Sequence, residues 1–225
     1  MKLALDHLVI AARTLAEGLD WCEATLGLRP EAGGRHAFMG THNRVFSIAS
    51  AAFPRAYAEL IAIDLDAPPP MRHARWFDLD DAALQRRLAI DGPQLVHWVV
   101  RCDEIAGVQA EMRAAGVDPG DVQAAERLTP QGLLRWRIGV RADGRRPLAG
   151  AAPALIEWGE VHPTDSMPDS GIALQSVRIA AWPVALQALL PQGTEIAPRA
   201  DASPISALLS TPHGPVSLTA ARPAG

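Results

Sequence analysis

The chain has almost no lysine. Lys2 is its only one, so positive charge comes from arginines dispersed along 225 residues and is outweighed to a net −4. Without a basic stripe, nucleic acid and anionic membrane surfaces are poor partners. Cysteine is nearly as scarce. Cys22 and Cys102 fall at or beside apolar positions, which suits buried thiols in a reducing compartment better than a disulfide framework. A cytoplasmic location is therefore expected. No apolar run reaches the length needed to cross a bilayer, and Asp6 and His7 interrupt the short apolar start, so neither a membrane span nor a secretion signal is expected. A nucleotide-binding glycine loop, a serine nucleophile elbow and a paired-cysteine metal motif are also missing. What is there is 48% apolar residues, enough for one large domain or two small ones around a full core.

An internal repeat organises those residues. LDHLVIA (5–11) and LVHWVVR (95–101) share the pattern L-x-H-x-V-[IV]. Each is followed by an amphipathic helix. In the first, Thr14 and Glu17 form a capping box, Leu15, Leu19, Cys22 and Leu26 share a face, and Gly27 is the stop. In the second, Asp103 reads as N-cap, Ile105, Val108 and Met112 as the stripe, and Gly116 as the stop. Three strands follow each helix: 28–32, 43–49 and 56–63 in the first copy, 117–124, 133–140 and 154–158 in the second. Both copies are thus β-α-β-β-β. The last strand of each carries a carboxylate in an apolar run, Glu59 in AELIAI and Glu157 in ALIEWG. A shorter third copy opens at 174–180 with Ser176 in the histidine's place, continues with a helix from Pro183, and ends near 216–219 with Ser217 in the glutamate's place.

These residues carry a resemblance. The repeat with His on its first strand and Glu on its last resembles the vicinal-oxygen-chelate superfamily. Within it, GGRHAFMGTHNRV (33–45), YAELIAI (57–63), RWFDLDDAAL (75–84), HWVVRCDEI (97–105) and IEWGEVHP (156–163) make the chain similar to glyoxalase-like domain proteins. The resemblance implies an α+β fold in which tandem βαβββ modules pair into a curved mixed sheet around a cleft, with a partial third module at the C-terminus. Residues 1–66 would be the first module, 67–93 a linker or lid with a short helix, 94–163 the second module and 164–225 the degenerate third. It further implies a metal at His7, Glu59, His97 and Glu157. Two imidazoles and two carboxylates suit a divalent ion such as Zn²⁺, Mn²⁺, Ni²⁺ or Fe²⁺.

The chemistry that would follow is carbonyl polarisation and proton abstraction through an enediolate, on a small molecule with adjacent oxygen atoms. Glu59 or Glu157 is the candidate base. Glu157 is preferred because His162 and Glu160 lie nearby in sequence as a relay. In the glycine-rich stretch, Arg44, with His36 and Asn43 behind it, is the expected substrate contact; a hairpin bonding its own backbone is the other reading. In the linker, the APPP run (67–70) is a stiff spacer, a helix opens at Asp80 or Asp81 with Leu84 and Leu88 inward, and Trp76 and Phe77 are candidates to line the pocket. A metal-free small-molecule binder of the bleomycin-resistance type and an extradiol-type dioxygenase stand as alternatives. The sequence leaves monomer and homodimer both open.

Overall fold

The computed structural model describes residues 3–71, 73–129, 132–197 and 203–221. The two repeats join through their first strands. Strand β1 (Ala4–Ala11) runs antiparallel to β5 (Gln94–Arg101), and this pair is the centre of one eight-stranded sheet. The first module adds β2 (Gly33–His36), β3 (Thr41–Ser47) and β4 (Tyr57–Ile63) on one side. The second adds β6 (Asp121–Thr129), β7 (Gly132–Val140) and β8 (Ala154–Trp158) on the other, giving the order β2-β3-β4-β1-β5-β8-β7-β6. In each module the first and last strands are parallel, and the remaining pairs are antiparallel. The sheet is mixed and curls into a half-barrel. Its edges approach one another closely enough that a Cβ built on Gly34 of β2 would lie 1.6 Å from Arg127 Nη1 of β6.

Alternation along the central strands sorts residues to two cores. Leu8, Ile10, Leu60, Trp98 and Val100 point to the convex face and pack under α1 (Leu15–Trp21) and α3 (Ile105–Ala114). Thr14 caps α1 by accepting from the Glu17 N–H, while the Glu17 side chain pairs with Arg13 rather than closing the capping box. Residues Cys22–Leu26 continue α1 as a π-helical turn that ends at left-handed Gly27. The cap of α3 is Glu104, not Asp103, because its carboxylate accepts from the N–H groups of Ala106 and Gly107. Both cysteines are buried and free, and burial pushes each thiol up to about 12.

Val9, Ala11, Ile61, Val99, Trp136, Ile138 and Ile156 face the concave side. There they meet Trp76, Phe77 and Leu79 of the inter-module segment and Leu84 and Leu88 of α2 (Ala82–Asp91). The segment therefore fills much of the concavity itself. It is fastened by a buried ion pair, Arg146 Nε to Asp78 Oδ2 at 2.6 Å.

Two strands begin later than their sequence pattern suggests. The stretch 28–32 is irregular and β2 starts at Gly33, so GGRHAFMGTHNRV is a hairpin; β6 covers 121–129 rather than 117–124. The C-terminal stretch forms a second sheet, order β10-β9-β11-β12, from β9 (Ala173–Ile179), β10 (Thr194–Ile196), β11 (Ile205–Thr211) and β12 (Gly214–Thr219). Here β9 neighbours β10 and β11, so first and last strands do not pair as they do in the two modules. The helix expected from Pro183 is a 3-10 stretch, Val184–Leu189. This sheet covers the convex face, with Trp182 packed against Trp98 at 6.3 Å between ring centres.

Candidate active site

A β-bulge makes the floor of the cleft. Leu5 pairs with Val100 and His7 with Val99, so Asp6 is the extra residue on β1. The bulge breaks the expected alternation. Leu5 turns to the convex core with Leu8, while His7 faces the cleft with Val9. Asp6, fully buried, accepts from three directions. His7 Nδ1 lies at 2.7 Å on Oδ1; His162 Nε2 at 2.9 Å and Trp158 Nε1 at 3.0 Å share Oδ2. Buried polar groups are expensive unless bonded in this way.

Glu59, on β4 opposite Val9, faces the same floor. Its Oε1 accepts from Asn43 Nδ2 at 2.7 Å, and Oε2 lies 3.5 Å from His7 Nε2. His36 Nε2 is 3.8 Å from Oε1, and its Nδ1 is 3.1 Å from Thr41 Oγ1. Tyr57 stacks on His7 with 4.6 Å between ring centres. The walls are Trp76, Phe77, Trp136 and Trp158, and Arg127 stands at the mouth.

The electrostatics divide the histidines. Burial works against charge on His7, but the hydrogen bonds to Asp6 and Glu59 and their charges prevail and raise it to about 9, an imidazolium at neutral pH. Burial also opposes ionisation of Asp6 and Glu59, yet their histidine partners hold both below the usual carboxylate range. Burial dominates at His36, which falls to about 4, and at His97, held well below its ordinary value; both are neutral. Tyr57 is raised well above its usual range by burial and the nearby carboxylates.

Only part of the expected four-ligand set meets. His7 and Glu59 come together. His97 also faces the concave side, diagonal to His7 across the strand pair, but it packs against Phe77 at 5.3 Å between ring centres and its Nδ1 is buried without a partner. Glu157 does not reach the cleft at all. On β8 it alternates with Ile156 and Trp158, which take the concave side, so its carboxylate lies on the convex face. There Oε2 accepts from the Ile105 N–H at 2.8 Å and Oε1 from Arg137 Nη1 at 2.9 Å. The expected relay partner is bonded elsewhere: His162 Nε2 lies 2.9 Å from Asp6 Oδ2. Among the described residues no three His, Cys, Asp or Glu side chains are arranged to hold an ion. The donors as placed do not fit the implied metal, since one Glu59 oxygen is taken by Asn43 and His97 packs against Phe77 without joining His7 and Glu59 in one group.

Of the expected substrate contacts, His36 and Asn43 point into the cleft, whereas Arg44 falls one residue out of phase and donates to the Asn43 carbonyl at 3.0 Å. Sequence reasoning missed four contributors. Asp6 was signalled by being a charged residue inside a buried run; Tyr57, Arg127 and Trp158 had no signal beyond ordinary strand alternation.

The family described as "Glyoxalase-like domain" matches residues 5–192. No curated protein matches the chain. Among solved structures, a hypothetical protein from Staphylococcus aureus is similar at 16% identity and a TM-score of 0.52, over 80% of this chain and 70% of that one. A Streptomyces coelicolor methylmalonyl-CoA epimerase in complex with 2-nitronate-propionyl-CoA is similar at 18% identity and a TM-score of 0.45, over 72% of this chain and 99% of that one. No helix among the described residues is long and apolar enough to cross a membrane. With two β-α-β-β-β modules joined through their first strands and the family match spanning both, the chain belongs to the glyoxalase-like domain family.

Proposed function

We propose that the chain is an acid–base enzyme that moves a proton next to a carbonyl of a small molecule, with Glu59 as base and His7 as acid. The observation that carries this reading is the buried carboxylate–imidazolium pair on the floor of an aromatic cleft, 3.5 Å apart. Charged groups are seldom buried unless paired, and perturbed groups in a cleft are candidates for catalysis.

Each neighbour then has a task. Asn43 holds one Glu59 oxygen and leaves the other directed at His7. A carbonyl oxygen seated near His7 Nε2 receives a charge-assisted hydrogen bond as its carbon acid loses a proton to Glu59. Asp6 binds His7 Nδ1, which fixes the ring and stabilises its charge, while His162 and Trp158 hold Asp6 in place. The reading uses no step through a metal, and Glu157, His97 and Arg44 have no part in it.

The test is exchange of carbonyl-adjacent protons in D₂O, followed by NMR across a panel of 2-oxo acids, α-ketoaldehyde adducts and catechols. Glu59→Gln should slow exchange by about 100-fold or more. Equal exchange by wild type and variant would reject Glu59 as base. The aromatic walls support a second reading, sequestration of a ring-bearing ligand, and tight binding with no exchange across the panel would favour it.

A further inference from the structure

Among the described residues, Arg127 is the one cation lining the cleft that the acid–base machinery leaves unused. It sits on edge strand β6 and crosses the mouth to lie against Gly34 of β2. Its Nη1 is buried and has no hydrogen-bond partner among the described residues. It lines the same cleft as His36, Tyr57 and Glu59. An unmet donor on a charged group is costly, by about 1–3 kcal/mol or more. The neighbouring carboxylate does not relieve it, because Glu59 is bound by Asn43 and paired with His7.

We propose that Arg127 anchors the carboxylate of the substrate, and that the substrate class is a small 2-oxo carboxylate; the inference rests on the acid–base reading above. A guanidinium presents a planar fork that matches a carboxylate through two parallel hydrogen bonds. The space left between the walls is about 50 Å³. One water needs roughly 10–15 Å³ of such space, so only a handful of non-hydrogen atoms fit while Trp76 and Phe77 stay in place.

With the carboxylate at Arg127, the adjacent carbonyl lies toward His7 and the next carbon toward Glu59. Glu59 takes a proton from that carbon, the C–H electron pair forms a C=C bond, and the carbonyl π pair moves to oxygen. The resulting enolate accepts a hydrogen bond from His7 Nε2. Return of the proton restores the starting acid, so nothing is oxidised or reduced, and in D₂O the carbon gains deuterium.

Titration calorimetry of the full chain with pyruvate, methyl pyruvate and inorganic phosphate tests the anchor, with NMR exchange in D₂O run in parallel. Pyruvate should bind at least tenfold more tightly than its ester or phosphate. Arg127→Met should abolish that preference and Arg127→Lys should restore part of it. Gly34→Ala should also weaken pyruvate binding, since its methyl would occupy the place of the guanidinium. Equal affinity for acid and ester, phosphate binding as tight as pyruvate, or unchanged pyruvate binding by Arg127→Met would overturn the anchor. The two readings fail separately. Exchange of ester and acid at equal rates removes the anchor and leaves the acid–base pair; an acid preference in binding that Glu59→Gln retains, with no exchange by wild type, does the reverse.

Discussion

Ala154 stands in the second module where Glu59 stands in the first. Glu59 lies opposite Val9 in the parallel β1–β4 pair, and Ala154 lies opposite Val99 in the matching β5–β8 pair. The modules are therefore alike in backbone and unlike in chemistry, and the cleft's acid–base groups come from the first module's strands.

Glu157 consequently has a structural task, bonding the first N–H of α3 and pairing with Arg137 across β7 and β8. Glu157→Ala should lower stability by about 1–3 kcal/mol, the cost of leaving a helix-start donor unmet. Ligand binding and proton exchange should stay at wild-type levels. Urea titration and exchange rates measure the two effects, and a variant that folds as wild type but loses exchange would return Glu157 to the chemistry.

How much of this was legible in the sequence depends on which force set each residue. The repeat was, because Leu8 and Ile10 against Trp98 and Val100 record burial with period two, and caps such as Thr14 are local. The side on which Glu157 falls was not. Register is decided by pairing with β5 and β7, and aligning two glutamates by their apolar surroundings put one of them on the wrong face. Asp6 was hidden differently, since a bulge is a property of two strands together. Arg127 is brought to Gly34 only by the curl of the whole sheet.

The inter-module segment is held by Asp78 and Arg146. Beyond their ion pair, Arg146 donates to the Val96 carbonyl, and its own N–H donates to Asp78 Oδ1 at 3.1 Å. Phe77 and Asp78 have φ of 60° and 59°, a strained conformation that needs such support. Asp78→Asn or Arg146→Met should each cost about 3–5 kcal/mol, the range for leaving half of a buried pair. The double variant should cost less than the sum, and amide exchange should rise first around residues 74–81. Additive losses with unchanged local protection would show that the pair does not hold this segment.

His97 offers a test of its own. It is neutral, buried against Phe77, and leaves Nδ1 without a partner. Replacing it with leucine removes an unmet polar atom at similar volume, so His97→Leu should keep or raise stability, by up to about 1–3 kcal/mol, and should preserve proton exchange. Loss of exchange in a variant of normal stability would make His97 part of the site.

Stability should peak near neutral pH because the buried histidines pull in opposite directions. His7 has a folded value of about 9 against 6.5 when unfolded, so its contribution is complete below pH 6.5 and is lost as pH rises toward 9. Each pH unit of that difference is worth about 1.4 kcal/mol, giving an alkaline loss on the order of 3 kcal/mol. His36, at about 4, and His97 are neutral when folded and protonated when unfolded below pH 6.5, so stability falls again toward acid. Denaturant midpoints at pH 5, 6.5 and 9 trace the curve. Asp6→Asn removes the anion that holds His7 charged, so this variant should be less stable overall and should lose most of the alkaline slope while keeping the acid one. An alkaline slope of wild-type size in Asp6→Asn would mean that groups other than the Asp6–His7 pair produce it.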